Sequence, residues 1–449
     1  MHIDHVHFYV DDAVLVQRGL VERMGFRAVS SEAVFSEAVS PTPLQTRGAI
    51  APSQSLHTDH PTHTIPHTQT TRVQWGSVCC LLSSPLHPDS PVADYLRQHP
   101  PGVVDVAFWV EDLERAIAQA QAAGAKVLVE SRPLRQGAEA IAWGAIAGWG
   151  DLRHTLVQRQ SFDGPSATPC LMPWGDDGAI ALKPIRSTPQ PTAFPRLDHA
   201  VLNVAQGDLD AAVRWYQTVL GFVPQQRFSI HTPHSGLHSR VLAHPNGTAQ
   251  LPINEPTSPD SQIQEFLEVN RGAGIQHIAL QVEDAIATIT ALRQQGASFL
   301  SVPQDYYTNL PQRPACPISA ADLARIAQQQ ILVDWPPDNP QALLLQTFTQ
   351  PIFDQPTFFW EIIERTQYVA NQQRKQAAGF GEGNFRALFE AIEREQLRRH
   401  QVYAPLGNRP YTNSLNQNDG LFEEGGGERR SPQGGKAPLP PICSPNFRN

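Results

Sequence analysis

The chain is poor in cysteine, and its few cysteines are not arranged for cross-linking. Five cysteines stand among 449 residues, an odd number with no Cys-x-x-Cys pair. A disulfide framework or a zinc ribbon is therefore not expected, and we expect reduced thiols instead.

The sequence also lacks an excess of positive charge and any long apolar run. Its net charge of −9 argues against a nucleic-acid-binding protein, which would carry a basic face. No apolar run approaches the roughly 20 residues of a transmembrane helix, and the N-terminal segment reads as a strand rather than as a signal peptide. We therefore expect a cytoplasmic protein that neither spans a membrane nor binds nucleic acid.

Prolines and glycines, 40 and 30 in number, cluster outside the predicted cores. Residues 40–72 are rich in Pro, Thr, Ser and His, a composition that cannot easily bury a core, and we expect a mobile surface insertion there. Residues 161–195 are rich in Pro and Ser and are interpreted as a linker. Residues 406–449 are rich in Gly, Pro and Asn, which predicts a disordered tail.

Two segments of the chain each occur twice. Residues 103–128 match residues 275–300 with one constant offset and no gap, and the segment that begins at Ile3 resembles the one that begins at Leu197. Every copy reads as a strand, a turn, a helix and a closing glycine. Such a match indicates duplication. We predict an α+β fold with two similar domains of strand-helix-strand repeats, the first at 1–160 and the second at 196–370.

Only the second copy holds His, His and Glu at three aligned strand positions, because the first copy differs from it at two of them. The aligned pairs are His199 with His5, His277 with Asp105, and Glu361 with Thr155. Two imidazoles and one carboxylate are the ligand set of non-haem iron(II) oxygenases, and they leave one side of the metal free for substrate and dioxygen. A buried carboxylate is also costly unless it is paired or bound to metal. We therefore predict that the three residues of the second copy bind one Fe²⁺ ion per chain.

Each of these residues has a simpler interpretation when it is considered singly. A lone histidine in an apolar strand is more often a hydrogen-bonded core residue than a metal ligand. Their equivalence within the repeat is what favours metal binding. His5 is then interpreted as a remnant in the domain without metal.

Several stretches of the second half resemble one known family. They are LDHAVLNV (197–204), LPINEP (251–256), SQIQEF (261–266), GAGIQHIAL (272–280), LSVPQDYY (300–307), LLLQTFT (343–349), FFWEIIER (358–365) and GFGEGNFRALFEAIE (379–393). Together they resemble the 4-hydroxyphenylpyruvate dioxygenases of the vicinal oxygen chelate superfamily. The resemblance covers about 190–400 of the chain well and the N-terminal domain only in outline.

The resemblance implies a fold and a reaction. The fold would be two modules, each an open half-barrel sheet with helices outside, plus a C-terminal lid helix at 379–405. The enzyme would convert the aromatic 2-oxo acid 4-hydroxyphenylpyruvate and O₂ into homogentisate and CO₂, with the substrate's own 2-oxo acid chelating the iron. The steps would be oxidative decarboxylation, ring hydroxylation and side-chain migration, in tyrosine catabolism or prenylquinone biosynthesis. Family members are commonly homodimers or homotetramers, and we expect the same here.

The resemblance also implies a set of substrate-binding residues. The polar ones would be Ser239, Asn254, Gln262, Gln276 and Gln346, of which Asn254, Gln262 and Gln276 would also take part in the reaction. The ring pocket would be lined by Phe348, Phe380, Asn384 and Phe385. Neutral amides can bind a phenol and a carboxylate without adding charge to the iron site, and two phenylalanines can sandwich a ring. Strand alternation places Gln276 opposite His277, so a local twist would have to bring it round.

Three other functions fit the same residues. Hydroxymandelate synthase shares the iron ligands and the substrate but hydroxylates the benzylic carbon. An extradiol catechol dioxygenase would use two His and one Glu on the same duplicated fold, although the glutamine-rich motifs and GFGEGNF speak against it. A metal-free binding protein would need none of the three donors, and their presence in only one half argues for chemistry.

Overall fold

The computed structural model describes residues 1–29, 31–35, 67–136, 139–159, 171–174, 178–182, 196–233, 235–370 and 372–403. Residues Met1–His400 form one compact unit. None of the described helices is long and apolar enough to cross a membrane. The predicted tail at 406–449 lies outside the described residues.

The N-terminal half is built around a sheet of eight strands. The strands of this half are β1 (His2–Tyr9), β2 (Arg27–Val29), β3 (Ser31–Phe35), β4 (Thr68–Trp75), β5 (Val78–Pro85), β6 (Gly102–Trp109), β7 (Val127–Gln136), β8 (Glu139–Ala147), β9 (Arg153–Arg159), β10 (Leu171–Trp174) and β11 (Gly178–Leu182). Its helices are α1 (Ala13–Met24), α2 (Pro91–Gln98) and α3 (Leu113–Ala122). The sheet has the order β2-β4-β5-β1-β6-β9-β8-β7, and β3 pairs with β11 in a separate small sheet.

The C-terminal half repeats this architecture. Its strands are β12 (Arg196–Asn203), β13 (Val223–His231), β14 (Gly236–Ala243), β15 (Gln250–Pro256), β16 (Gly274–Val282), β17 (Leu332–Asp334), β18 (Leu344–Phe348), β19 (Phe359–Arg365), β20 (Gln367–Ala370) and β21 (Gln373–Gln376). Its helices are α4 (Leu209–Leu220), α5 (Gln262–Asn270), α6 (Ala285–Gln294), α7 (Gln304–Asn309), α8 (Ala320–Gln328) and α9 (Glu382–Tyr403), with a 3₁₀ turn at Leu310–Gln312. The order β13-β14-β15-β12-β16-β19-β18-β17 matches the first sheet strand for strand, which confirms the predicted duplication.

The repeated sequence signals have a local structural cause. In both copies of Val-Glu-Asp the aspartate begins a helix: the Asp112 side chain accepts from a backbone N–H of α3, and the Asp284 side chain accepts from one of α6. An aspartate at this position satisfies an N–H that the helix itself cannot pair. Gly25 and Gly221 end α1 and α4 with φ of 72° and 73°, a left-handed conformation that glycine adopts at little cost.

An apolar core shared by the two halves fixes which way β19 faces. Trp360 is fully buried, and its ring lies 5.9 Å from that of Phe8 and 5.6 Å from that of Phe26, measured between centroids. Side chains alternate along a strand. Because Trp360 packs toward the N-terminal half, the next side chain, Glu361, points to the opposite face of the sheet.

Two predicted segment boundaries need correction. Residues 67–72 were included in the mobile insertion, but Thr68 begins β4, and Arg72 on that strand is buried. The Thr-rich composition that suggested a loop also suits a strand, since β-branched residues fit a pleated sheet. The predicted linker at 161–195 contains β10 and β11, because β11 gains a partner in β3 from far away in the chain. The rest of both segments lies outside the described residues.

Candidate metal centre and its cavity

The three predicted metal ligands meet at one point of the C-terminal sheet. They come from the adjacent strands β12, β16 and β19. The Nε2 atoms of His199 and His277 lie 3.2 Å and 3.4 Å from Oε2 of Glu361, and all donor atoms lie within 4.8 Å of one another. Ligand atoms that bind one ion through bonds of about 2 Å are separated by distances of this kind. The three residues therefore fit a single divalent metal ion.

Two β-bulges turn the neighbours of the histidines toward them. Between β12 and β16, Leu197 pairs with Leu280 and His199 with Ala279, so Asp198 is an extra residue in its strand. The same ladder skips Gln276 on β16. A bulge re-aims a side chain that alternation would send to the other face, and this is the local twist that Gln276 required.

The bulged residues fix the orientation of both imidazole rings. Asp198 Oδ1 lies 2.7 Å from Nδ1 of His199, and Gln276 Oε1 lies 3.2 Å from Nδ1 of His277. Because both partners are oxygen acceptors, each Nδ1 carries a proton, and Nε2 of each ring is the nitrogen that faces the metal position. A metal bound there would take the place of any proton on Nε2. Partners of this kind are typical of histidines that bind metals.

The charges of the site keep the carboxylate ionised. Burial by itself would raise the pKa of Glu361, but the two imidazoles lower that pKa to about 2. Burial would likewise lower the pKa of His199, but Glu361 and Asp198 raise it to about 9. For His277, burial dominates and its pKa lies below the ordinary value. The side chain of Glu361 is thus an anion at neutral pH, as a metal ligand must be.

A chain of hydrogen bonds holds the second oxygen of Glu361. Gln346 donates from Nε2 to Glu361 Oε1 at 2.8 Å, and Asn384 donates from Nδ2 to Gln346 Oε1 at 2.7 Å. Tyr306 then donates to Asn384 Oδ1 at 3.3 Å. This series of hydrogen bonds leaves Oε2 of Glu361 directed at the two histidines. It also ties the metal centre to α9, the helix that carries Asn384.

A cavity opens onto the three ligands. Besides the ligands, its wall contains Val201, Phe228, Ser239, Val241, Pro252, Gln346, Phe348, Phe380, Phe385 and Leu388. Most of this wall is apolar, so the cavity suits an aromatic molecule with few polar groups. Phe385 and Leu388 belong to α9 (Glu382–Tyr403), so the first turns of this helix line the cavity, and its action as a lid stays a prediction.

The predicted substrate-binding residues divide into two groups. Ser239, Gln346, Phe348, Phe380 and Phe385 border the cavity, whereas Asn254, Gln262, Gln276 and Asn384 do not. In the second group, Gln276 donates to Gln262 at 3.3 Å and Asn254 donates to Asn203 at 3.2 Å. Asn384 was expected to line the ring pocket, but its amide is taken by Gln346 and by the Leu344 carbonyl. A substrate contact by any of the nine residues stays a prediction.

The predicted stacking of a ring between Phe380 and Phe385 also stays a prediction. Phe380 contacts the His199 ring edge-on at 4.8 Å between centroids. Phe385 contacts Phe228 in the same manner at 5.3 Å. Both phenylalanines thus border the cavity while packing on other rings.

Ser239 carries a polar atom that the described residues do not satisfy. Its Oγ is buried and has no hydrogen-bond partner there, and the same is true of Oδ1 of Asn254 on the neighbouring strand β15. Buried polar atoms are nearly always paired. An unpaired hydroxyl at the cavity wall therefore suits a hydrogen bond to a bound molecule.

The equivalent positions of the first sheet hold no such metal centre. Asp105, in the place of His277, accepts a hydrogen bond from the backbone N–H of Thr155 at 2.9 Å and another from its hydroxyl. Thr155 stands in the place of Glu361. The first half therefore has a hydrogen-bonded pair where the second half has two of the predicted metal donors.

Sequence reasoning missed the residues that support the ligands. Asp198 and Arg365 form a buried ion pair beside His199, and Tyr306 completes the chain to Glu361. A signal was present for the first pair, because Asp4 and Arg159 occupy the same places in the first copy and also pair. No periodicity marks Tyr306, whose partners are distant in sequence.

Comparisons with known proteins agree with this geometry. Two family models, both described as Glyoxalase/Bleomycin resistance protein/Dioxygenase superfamily, match residues 4–143 and 196–312. Among solved structures, a mutant of 4-hydroxymandelate synthase from Streptomyces coelicolor aligns with a TM-score of 0.69 and 26% identity, covering 88% of this chain and 98% of that one.

Curated relatives are more similar in sequence. The 4-hydroxyphenylpyruvate dioxygenase of Caenorhabditis elegans is 37% identical over 353 residues, which is 74% of this chain and 82% of the relative. That of Dictyostelium discoideum is 32% identical and covers 88% of this chain and 98% of the relative. The chain is therefore an enzyme that belongs to the 4-hydroxyphenylpyruvate dioxygenase family.

Proposed function

We propose that this enzyme is an iron(II)-dependent dioxygenase that converts 4-hydroxyphenylpyruvate and O₂ into homogentisate and CO₂. The observation that carries the proposal is the convergence of the buried side chains of His199, His277 and Glu361 at the wall of a largely apolar cavity. Oligomeric state and cytoplasmic location, expected from the sequence, stay predictions.

The donor set favours iron over other common divalent metals. Two imidazoles and one carboxylate with open positions are typical of non-haem iron(II) oxygenases. When bound, ferrous iron would supply the activation of dioxygen. The chain's own part is to hold three donors on one side and to keep the other side facing the cavity.

The cavity wall would orient the substrate and exclude water. Phe228, Phe348, Phe380 and Phe385 offer an apolar lining for the aromatic ring. Ser239 Oγ, which has no partner among the described residues, would accept or donate a hydrogen bond to a polar group of the substrate. Gln346 lies at the wall and would position Glu361 at the same time.

Gln262 and Gln276 do not border the cavity, and their first role would be to orient the His277 ring. Gln276 bonds both His277 and Gln262, so a direct substrate contact by Gln262 or Gln276 requires their mutual bond to break. Asn254 sits beside Ser239 in the sheet and has one free acceptor. A rotation of its side chain would bring that acceptor toward the substrate.

Hydroxymandelate synthase activity is the second candidate, favoured by the structural similarity to such a synthase over nearly its whole length. The sequence identity favours the first candidate, since it is 26% to that structure and 37% to a curated 4-hydroxyphenylpyruvate dioxygenase. The two differ only in whether the ring or the benzylic carbon is hydroxylated. The shape of the cavity would decide which carbon atom is hydroxylated, because the metal ligands would be the same for both activities.

Product analysis tests the proposal. The purified protein is incubated with 4-hydroxyphenylpyruvate, Fe²⁺ and O₂, and the products are separated by chromatography. Homogentisate supports the proposal, and 4-hydroxymandelate supports the second candidate. A yellow ring-cleavage product from a catechol would favour an extradiol dioxygenase, and a chain that takes up no iron would be a binding protein.

A further inference from the structure

Arg365 lies on the same strand as Glu361 and forms hydrogen bonds to Asp198, the residue that bonds His199. Its Nε and Nη2 donate to the two oxygens of Asp198, both at 2.7 Å. Asp198 Oδ1 in turn accepts from Nδ1 of His199 at 2.7 Å. A two-pronged pair of this kind fixes the plane of the carboxylate, and the plane of Asp198 fixes the rotation of the His199 ring.

The remaining nitrogen of Arg365 holds the segment that leads to α9. Its Nη1 donates to the Gly379 carbonyl at 2.7 Å, and the Ala377 carbonyl lies 3.4 Å away. The guanidinium carbon lies 5.7 Å from the centroid of the Phe380 ring. Phe380 connects this segment back to the predicted ligand, because its ring packs edge-on against His199.

The first half of the chain contains the same contacts between an arginine, an aspartate and a histidine. There Arg159 donates to both oxygens of Asp4 at 2.9 Å, and Asp4 lies 2.7 Å from Nδ1 of His5. The His-Asp-Arg arrangement is therefore a property of the repeated module, present where the metal donors are lost. In the second half the arginine also bonds the Gly379 carbonyl, in the segment that leads to α9.

We propose that Arg365 is a positioning residue that couples the orientation of His199 to the closure of the segment Gly379–Leu388 over the cavity. This inference rests on the proposed metal site. A metal ion that fixes the His199 ring also fixes Asp198 and Arg365, and through them Gly379 and Phe380. By the reciprocity of linked equilibria, closure of that segment then raises metal affinity by the same factor.

Hydrogen exchange of the intact protein, with and without Fe²⁺ under anaerobic conditions, tests the coupling. Iron is expected to slow amide exchange in Gly379–Leu388 about tenfold in the unaltered protein. In Arg365→Lys, which keeps the charge but loses the planar fork, iron affinity in a chelator competition should fall about tenfold. The iron-dependent slowing of exchange should also disappear.

Arg159→Lys is the matched control, since it makes the same change in the half without metal donors. It should lower thermal stability while leaving iron affinity and the iron-dependent exchange unchanged. If Arg365→Lys does not fold, Phe380→Leu is the second variant, because it removes the ring contact between Phe380 and His199 without a change of charge. It should reduce the iron-dependent slowing of exchange.

The outcomes separate this inference from the proposed function. If the unaltered protein binds iron but exchange in Gly379–Leu388 does not respond, the coupling is wrong and the proposed function stands. The same holds if a folded Arg365→Lys keeps the full response. If the unaltered protein binds no iron, the proposed function fails and the coupling fails with it.

Discussion

Gln346 donates a hydrogen bond of 2.8 Å from its side-chain nitrogen to Oε1 of Glu361. This contact decides which carboxylate oxygen is available at the metal position, because Oε1 is occupied and Oε2 is the atom near both histidines. A residue predicted to bind substrate thus supports a predicted ligand as well.

Replacing Gln346 with leucine should weaken metal binding. The change leaves Glu361 Oε1 and the Asn384 amide without this partner in a buried site, and outer partners of metal ligands typically contribute tenfold or more to affinity. We expect iron affinity to fall about tenfold in a chelator competition. Gln264→Leu is the control, since Gln264 bonds Glu268 at the surface of α5. Unchanged iron affinity in Gln346→Leu would contradict the supporting role.

The aligned positions His277 and Asp105 of the two halves should respond differently to substitution. His277→Ala removes a metal donor, so we expect loss of bound iron and a fall in activity of more than about 100-fold, beyond what outer partners contribute. Asp105→Ala alters the aligned position of the first half and should leave both quantities nearly unchanged. Metal analysis and product formation measure the two effects. Retention of a full equivalent of iron by His277→Ala would remove it from the ligand set.

Trp360 should be a major source of stability. It is fully buried among Phe8, Phe26 and Phe358, and truncation of such a side chain costs about 3–5 kcal/mol of unfolding free energy. We expect that loss for Trp360→Ala in urea unfolding. Trp360→Phe should cost less, since it keeps a ring and removes an indole N–H that has no partner among the described residues. A loss below about 1 kcal/mol for the alanine variant would argue against the shared core.

Acid should destabilise the first half through His7. Burial, helped by the charges of His5 and Arg153, lowers the pKa of His7 to about 3, so the unfolded state binds its proton first as the pH falls. Stability is therefore complete above the unfolded pKa of about 6.5 and declines below it. Between about pH 7.5 and about pH 5.5 this group should account for a loss of about 1 kcal/mol.

The substitution His7→Gln isolates that contribution. Its unfolding free energy should fall by about 1 kcal/mol less than that of the unaltered protein over the same pH interval. His87→Gln, at an exposed position with about half of its side chain accessible, should behave like the unaltered protein. Parallel pH curves for His7→Gln and the unaltered protein would show that His7 is not buried in its neutral form.

Three residues of the candidate metal centre could be predicted because the chain contains two copies of one module, and these copies can be compared with each other. The duplicated segments aligned His5 with His199, Asp105 with His277 and Thr155 with Glu361, and this difference singled out the metal donors. The match of strand orders in the two sheets shows why the alignment worked, since equivalent strands place equivalent residues at one spot.

Other features escaped prediction because they depend on contacts between distant strands. Regular alternation put Gln276 on the wrong face, and only the pairing of β12 with β16 shows the bulge that turns it toward His277. The predicted insertion at 40–72 extended too far for a similar reason, since the strand that begins at Thr68 is stabilised by its pairing with β5. Local composition carries no information about such partners.

The sequence by itself determined the duplication and the helix ends and singled out the three predicted donors, because these follow from repeated local patterns. Only the tertiary structure decided which amides face the cavity, how Asp198 and Arg365 hold His199, and how α9 covers the site. Those features arise where strands and helices far apart in the chain pack together, and their geometry is fixed by pairing register and burial, which no single segment encodes.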